Sequence, residues 1–473
     1  MVELEPLLSA MSGVKAMSFD SKRTALRNEV ARWFGRLLGT AGISILLAVG
    51  SGVTARAQSP IQSPFPSWPS GQLEPAAIGP LNETVFRRPR PDYDPLGVRM
   101  GSFLFFPSGT LTGTYDSNVF AVQSGVKSDF YVGEHPSLNV RSDWNLHAIG
   151  FSASGDFKQY ASLSTENVNN GSAELVGRYD IANAEYFSGD AIYQLGHEDR
   201  SSPNAVFGKN PTEYHLMGFD FAYVRQPGRL GLRIDANLTT WDYNNATNGV
   251  TGATIDQNFR DRNEWVIAPR LNYEIIPGYQ AFVRLIGNER QYFSQELGAG
   301  PQGQNIRRNS HGWEIDGGTA IALTSITTAE VYVGYLQQDY ENPLIPSVSA
   351  PSFGGNLIWN VTPITTVRAS FSASVAETTL VLASSSYEYG AQLTVEHELL
   401  RNLLLLGSAG YVRDDYQGNP RKDNTFGANA GARYLLNRNW SATTDLTFSR
   451  RDSNVAGGGY DRFIGTVGVK AGF

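Results

Sequence analysis

The sequence predicts an all-β protein, a transmembrane antiparallel up-and-down β-barrel of about eighteen strands, preceded by a signal peptide and a proline-rich linker. Apolar and polar residues alternate with a period of two along most of 101–473. The breaks between these stretches are short and long in turn, and no segment after residue 57 has the ~20 consecutive apolar residues of a membrane helix. A period of two gives each strand unlike faces, so one face can meet hydrocarbon and the other water.

Residues 1–57 are predicted to be a signal peptide. Five basic residues within 22–36 precede the apolar run 37–53, and Ala55-Arg56-Ala57 has the small-residue pattern of a cleavage site. Residues 1–16 are expected to be superfluous, with Met17 as the true start. The alternative is an uncleaved membrane anchor, which the short apolar run and the cleavage pattern disfavour.

Composition excludes several classes of protein. The chain has no cysteine, which excludes a disulfide scaffold, a thiol enzyme, a cysteine zinc site and a lipoprotein anchor. Removing residues 1–57 changes the net charge from −7 to −10. An acidic chain argues against nucleic acid as a partner.

Residues 58–100 are predicted to be a periplasmic linker. Nine prolines fall in this stretch, and proline cannot donate a hydrogen bond to a β-ladder. We therefore expect an extended or disordered tether rather than sheet. Two alternatives are a docking segment for a periplasmic export partner and a plug for the mouth of the barrel.

From residue 101 the breaks define the strands of the barrel, predicted to span 101–473. Eight short breaks contain tight-turn residues, and they alternate with nine long, polar loops, so that eighteen strands result. Short turns at one end and long loops at the other are typical of outer-membrane barrels, in which the turns are periplasmic. The even count predicts that both termini are periplasmic. The short breaks lie at 142–143, 181–183, 227–228, 276–278, 324–325, 361–363, 401–402 and 437–439, and the long ones around 116–127, 161–167, 199–211, 243–262, 294–307, 340–349, 379–386, 416–422 and 451–458.

The alternation also predicts which side chains point into the lumen. In the strand that starts near Arg229, leucine and isoleucine occupy one face and charged residues the other. A register error would place a cation in lipid at a cost of ~2–4 kcal/mol, so the charged face is expected to be the inner one. These charges could form the selectivity surface of an aqueous channel, cross-strand ion pairs, or both. The predicted lumen-lining residues are Arg233, Asp235, Arg270, Glu274, Arg284, Arg368, Arg433, Arg462 and Lys470.

The last stretch, 459–473, is predicted to be the strand that closes the barrel. Its alternate residues are apolar or small, and it ends on Phe473. We expect it to pair with the first strand near 102–115. Aromatic residues near the strand ends predict two girdles at the level of the lipid headgroups. The girdle near the short turns would contain Tyr179, Tyr223, Tyr273, Tyr279, Trp359, Tyr434 and Trp440, and the girdle near the long loops Tyr115, Trp241, Tyr292, Trp313, Tyr340, Tyr389 and Phe448.

The motifs of common enzyme sites are absent. None of the six histidines stands in H-E-x-x-H, and neither G-x-S-x-G nor a phosphate-binding P-loop occurs. We predict no catalytic, cofactor-binding or metal-binding residue. His197-Glu198-Asp199 is the one cluster that merits a test as a rim enzyme, and a solvated loop is its expected role.

Residues 87–121 resemble the opening of the putative β-barrel porin type 2 family of proteobacterial outer-membrane proteins. The matching pieces are RPDYDPLG at 90–97, GSF at 101–103, Pro107 and YDSNVF at 115–120. The resemblance implies an outer-membrane barrel without established catalytic residues. Phe473 is similar to the terminal signal by which such barrels are recognised by the outer-membrane barrel assembly machinery.

Together these observations predict a passive, water-filled channel for hydrophilic solutes in the outer membrane of a Gram-negative bacterium. We expect no enzyme activity and no cofactor. The expected partners are outer-membrane lipid, the assembly machinery and, through the linker, a periplasmic export partner. The alternatives are an export port for exopolysaccharide or capsule and a structural or adhesive surface barrel. The sequence leaves the oligomeric state open.

Overall fold

The structure is a computed structural model, and it describes residues 84–299, 303–323, 326–380 and 383–473. The predicted signal peptide and residues 58–83 of the predicted linker lie outside the described residues. Among the described residues, no helix is long and apolar enough to cross a membrane.

Eighteen strands form one closed antiparallel barrel, which confirms the predicted fold class. Each strand pairs with its neighbours along the chain, and the first pairs with the last. The strands are β1 Phe103–Asp116, β2 Asp129–Ser142, β3 Ala148–Tyr160, β4 Val168–Ala182, β5 Glu185–His197, β6 Glu213–Arg225, β7 Leu230–Tyr243, β8 Arg262–Ile276, β9 Tyr279–Tyr292, β10 Ser310–Leu323, β11 Thr327–Tyr340, β12 Val348–Thr362, β13 Thr365–Ala376, β14 Ser386–Leu400, β15 Leu403–Tyr416, β16 Lys422–Leu435, β17 Trp440–Ser453 and β18 Tyr460–Gly472.

The seam between β1 and β18 forms where the sequence predicts it. Ser108 pairs with Gly472, and the register continues to Asp116 opposite Ile464. The start of β1 extends beyond the end of β18 and pairs instead with a short strand, Val98–Met100. The prediction of a linker without sheet is therefore wrong for these three residues. The last proline of the linker is Pro95, so their N–H groups are all available to the ladder.

The connections alternate as predicted, and they define a short-turn end and a long-loop end of the barrel. β1 begins and β18 finishes at the short-turn end. A small hairpin, Ala246–Thr247 with Thr254–Ile255, lies within one long loop. The short connections are 143–147, 183–184, 226–229, 277–278, 324–326, 363–364, 401–402 and 436–439, and the long ones are 117–128, 161–167, 198–212, 244–261, 293–309, 341–347, 377–385, 417–421 and 454–459.

The outer face is apolar, as the alternation predicts. Trp265, Ile267 and Leu271 of β8 are each about half exposed, whereas Arg270 between them is 2% exposed. A soluble sheet would have to bury such an apolar face against a protein core. In a membrane barrel, the lipid chains cover it and keep it out of water.

The aromatic residues at the strand ends divide between the two faces. Tyr179, Trp359 and Trp440 near the short turns are exposed on the outer face. Near the long loops, Trp313 is exposed, but Tyr292 and Tyr340 are only 6% and 8% exposed. The prediction of a girdle position is wrong for these two tyrosines, because β9 and β11 expose odd-numbered residues such as Val283 and Val333 and turn even-numbered ones inward. It is also wrong for Trp241, which shares the inner face of β7 with Arg233 and lies opposite the buried Arg262.

Candidate functional site: the barrel lumen

The inner face of β8 to β11 carries a buried ion pair between non-adjacent strands. Arg270 of β8 donates through Nη2 to Oε2 of Glu330 on β11 at 2.9 Å, with β9 and β10 between them. The guanidinium also lies 3.6 Å from the centre of the Phe282 ring. Two side chains can meet across two intervening strands only on the concave, inner side of the wall.

A second buried network lies beside the first. Arg284 of β9 donates through Nη2 to Asp316 Oδ2 at 2.6 Å. The hydroxyl oxygen of Ser352 lies 2.6 Å from Glu314 Oε1 and 2.9 Å from Asp316 Oδ1, so its one proton can be donated to either carboxyl group. Asp316 and Ser352 are fully buried, and Arg284 is 4% exposed. One guanidinium and one hydroxyl group thus bind two neighbouring carboxyl groups inside the wall.

The remaining predicted lumen residues are distributed around the barrel. Arg233 and Asp235 pair at 2.7 Å, and Glu274 accepts a hydrogen bond from the Gly278 amide at a short turn. Arg368 lies 3.7 Å from Glu396, and Lys470 is half-buried.

Arg462 has partners beyond its own strand. It donates through Nη2 to Asp116 at 2.6 Å and through Nη1 to Asp199 at 3.0 Å. Sequence reasoning missed the partner Asp116, because it placed this residue at the edge of a loop. The structure makes it the last residue of β1, directly across the seam from β18.

The wall of β2 to β7 is less tightly packed. Asp156 of β3 contacts His135 at 3.1 Å and Lys158 at 3.3 Å, and these side chains are 21–34% exposed. Asp190 and Asp220 stand opposite each other on β5 and β6, and Asn237 donates to Asp220 at 2.9 Å. Partly exposed carboxylates on an inner face indicate a hydrated part of the lumen.

The cluster His197-Glu198-Asp199 anchors the long loop 198–212. Glu198 pairs with Arg260 at 2.7 Å, Asp199 with Arg462 at 3.0 Å, and Nδ1 of His197 contacts Asn170 Oδ1 at 2.8 Å. Burial opposes the charge of Arg260, but Tyr243 and Glu198 outweigh it and raise the pKa of Arg260. The two carboxylates thus act as anchors that tie the loop to other parts of the mouth.

Loop 198–212 meets loop 377–385 across the long-loop mouth. Asn204 Oδ1 accepts hydrogen bonds from the Thr378 hydroxyl at 3.2 Å and the Thr379 amide at 2.9 Å. These loops join β5 to β6 and β13 to β14, which are eight strands apart in a barrel of eighteen. Their contact therefore spans the opening and narrows it.

Loop 377–385 is also held by the half-buried Arg290 and the buried Arg308. Arg290 and Tyr292 both donate to Glu377, and Arg308 donates to the carbonyl of Ala383 at 2.7 Å. Burial opposes the charge of Arg308, but Glu296 and other groups outweigh it and raise the pKa of Arg308. The described residues of the loop thus have fixed positions inside the mouth.

We expect the anchoring of loop 198–212 to weaken only in acid. Burial opposes the charge of Asp199, but Arg462 and the hydrogen bonds from Ser201 outweigh it and lower the pKa of Asp199. Because the pKa of Asp199 is lower in the folded loop than in an unfolded chain, its ionised form stabilises the loop fully above about pH 4, the unfolded value. The stabilisation is lost as the pH falls from there towards the pKa of the folded state.

Hydrogen exchange can measure this effect on the loop. Protection factors of the amides of Ser201 and Ser202, corrected for the intrinsic rate, should be constant above about pH 4 and should fall below it. The variant Asp199→Asn should show low protection over the whole range. Equal protection in both proteins would contradict the anchoring role.

The end of the predicted linker lies inside the short-turn mouth. The amide of Val85 donates to Thr366 Oγ1 at 3.1 Å, and the amide of Phe86 donates to Glu396 at 3.0 Å. Arg90 donates through Nη2 to Glu398 at 2.8 Å. Val85 is fully buried and Arg90 is 3% exposed. The sequence allows three roles for the linker: a tether, a docking segment and a plug. For its end, these contacts favour the plug.

The wall around this segment is made by lumen-facing residues of several strands. Arg88 donates to Asn360 of β12 at 3.2 Å, and Arg433 of β16 lies 5.2 Å from the centre of the Phe86 ring. Arg438, between β16 and β17, donates to the carbonyl of Pro91 at 3.0 Å. The RPDYDPLG motif at 90–97 distinguishes this region in the sequence through its family resemblance, but the motif itself does not indicate that the segment enters the lumen.

Within the described part of the chain, no group of three or more histidines, aspartates and glutamates is arranged to hold a metal ion.

Comparisons with known proteins point to one family. The family described as "Putative beta-barrel porin 2" matches residues 90–473. No curated protein matches the chain. Three similar solved structures are the ferric citrate transporter FecA in the unliganded form, OccK2 (OpdF) of Pseudomonas aeruginosa in complex with glucuronate, and the outer membrane protein OpdK of Pseudomonas aeruginosa.

Sequence identity to these structures is low. FecA is 15% identical, with 75% of this chain and 60% of FecA covered and a TM-score of 0.40. OccK2 is 9% identical, the match covers 78% of this chain and 98% of OccK2, and the TM-score is 0.41. OpdK is 10% identical, the match covers 77% of this chain and 98% of OpdK, and the TM-score is 0.39. The chain thus spans 60% of the length of FecA and nearly the whole length of the other two.

Proposed function

The chain belongs to the putative beta-barrel porin 2 family, and on this basis we propose that it is a water-filled channel through which hydrophilic solutes diffuse passively across the outer membrane. The observation that carries the proposal is the inner face. It bears buried and half-buried charges of both signs inside a closed barrel of eighteen strands. A barrel of 16–18 strands is wide enough for an aqueous channel.

The proposal fixes an orientation and a set of roles. The short-turn end with both termini faces the periplasm, and the long loops face the outside. The predicted lumen residues, among them Arg233, Arg368 and Lys470, provide the charged surface along the solute path. Phe473 serves as the terminal signal for the barrel assembly machinery, and the surrounding partner is outer-membrane lipid. The protein has no enzymatic role in this proposal.

The two mouths set the expected size of the solutes. Loops 198–212 and 377–385 meet across one mouth, and residues 84–95 lie inside the other. We therefore expect passage of small solutes and exclusion of large ones. This differs from a wide, open pore of the same strand number.

Liposome swelling tests the proposed function. Vesicles that contain the purified protein should swell in solutions of small uncharged sugars, and the rate should fall steeply with sugar size. Vesicles with heat-denatured protein are the control. Swelling no faster than this control, for every solute, would contradict passive diffusion.

A second candidate is an export port for a secreted polysaccharide. The contacts of residues 84–95 with the short-turn mouth favour it, because an export partner that bound this segment would open the mouth. A deletion strain would separate the candidates. Loss of surface polysaccharide with unchanged uptake of small solutes would support export, and the reverse result would support the diffusion channel.

A further inference from the structure

We propose that the short-turn mouth is a binding site for an arginine-bearing peptide, and that residues 84–95 occupy this site in cis as a displaceable plug. The inference rests on the proposed channel function, because a plug has a role only where solutes pass. The segment contacts the wall from Asn360 on β12 to Arg433 on β16, and Gly97 adjoins the ring of Phe106 on β1. The contacts of residues 84–95 thus lie on β12, β13, β14 and β16, within an arc of five neighbouring strands.

The segment is folded around its own arginine. The guanidinium of Arg90 donates to the carbonyls of Val85 at 2.8 Å and Arg88 at 3.1 Å, in addition to Glu398. The carbonyl of Arg90 accepts hydrogen bonds from the amides of Tyr93 at 2.8 Å and Asp94 at 2.7 Å. Most of these bonds lie within the segment, so it can leave its site as one unit with its structure retained.

The segment is not joined to the barrel by a β-ladder. Prolines at 89, 91 and 95 lack the N–H group that a ladder requires, and ladder pairing begins only at Val98. Gly97, between the segment and this strand, has a φ of 72°, a conformation that residues with a side chain rarely adopt. The chain can therefore turn at Gly97 while the short strand stays in place.

The wall remains charge-compensated when the segment leaves. Glu396 has Arg368 at 3.7 Å, and Glu398 has Arg401 at 3.6 Å, in addition to their contacts with the segment. Binding also has a cost, because Nε of Arg90 and the hydroxyl of Thr84 are buried without a hydrogen-bond partner among the described residues. A wall that keeps its charges paired on emptying, and a segment that leaves two of its polar atoms unpartnered when bound, both favour a plug that can be displaced.

Time-averaged current through the full-length protein in planar bilayers tests the plug. The variant Arg90→Gln removes the charge-assisted bond to Glu398, and it should shift the ratio of vacant to occupied mouths by roughly tenfold or more. The mean current should rise accordingly. The matched control is Arg99→Gln, which removes an exposed arginine paired with Asp143 at the same end of the barrel and should leave the current unchanged.

A synthetic peptide tests the binding site directly. Added at the periplasmic side of the Arg90→Gln channel, a peptide with the sequence of residues 84–95 should restore the low current. The same peptide with glutamine in place of arginine at position 90 should not. Block by both peptides alike, or by neither, would overturn the assignment of an arginine-specific site.

The failures of the two proposals are distinguishable. Equal currents in the wild type, Arg90→Gln and Arg99→Gln would overturn the plug and leave the channel intact. Absence of current in every protein would overturn the channel itself. If Arg90→Gln does not fold, the cysteine-free chain permits a second test with Val85→Cys and Thr366→Cys, which replace two residues in direct contact. Formation of the disulfide is first verified by the loss of free thiols. Current should then be low when this pair is oxidised and rise on reduction, and no redox response would overturn the plug.

Discussion

Replacing Arg284 by methionine is expected to lower the free energy of unfolding by about 3–5 kcal/mol. Arg284 is 4% exposed, and its Nη2 lies 2.6 Å from Asp316 and 3.9 Å from Glu314. Methionine retains much of the side-chain volume but leaves the buried carboxylate of Asp316 without its cation. The loss therefore comes mainly from uncompensated charge rather than from a cavity.

Denaturant unfolding in phospholipid vesicles, followed by tryptophan fluorescence, measures this loss. The control is Arg99→Met, whose exposed ion pair with Asp143 should contribute about 0–1 kcal/mol. A further change of Asp316 to asparagine in the Arg284→Met background should recover part of the stability, because it removes the buried charge that Arg284 compensates. Equal, small losses in Arg284→Met and Arg99→Met would show that the network is not buried as described.

Replacing residues 378–384 by two glycines is expected to raise the single-channel conductance several-fold. These residues reach Asn204 across the long-loop mouth and receive hydrogen bonds from Arg308. Removing them opens the mouth and takes away the carbonyl groups of Ala383 and Ser384 that Arg308 binds. The loop lies outside the β-ladders, so the barrel should fold normally.

Conductance steps in planar bilayers measure this change against a matched control. Loop 454–459 lies at the same end of the barrel, and its Val455 and Ala456 are exposed. Deleting those two residues should leave the conductance unchanged. If both shortened loops give the wild-type conductance, the loop contact does not limit the current.

The strands could be predicted because the physics that defines them is local. A residue that faces lipid must be apolar, and its neighbours in sequence must then face the lumen. This alternation gave the eighteen strands, the positions of the breaks and the pairing of β18 with β1. The same alternation, followed to the end of each strand, would also have placed Tyr292 and Tyr340 on the inner face.

The contacts across the lumen could not be predicted in the same way. Arg270 meets Glu330 across two intervening strands, which depends on the curvature of the wall rather than on local sequence. The contact of Asn204 with Thr379 depends on the paths of two loops that are far apart in the chain. Insertion of Arg90 beside Glu398 likewise depends on the closed barrel, because neither residue has a pattern that indicates the other.

Planar-bilayer recording of the purified full-length protein tests the central claim most directly. The claim predicts discrete current steps in the wild type and a higher mean current in Arg90→Gln. A current that stays at the level of the bare bilayer in the wild type, in Arg90→Gln and in the protein with the shortened 377–385 loop would contradict it.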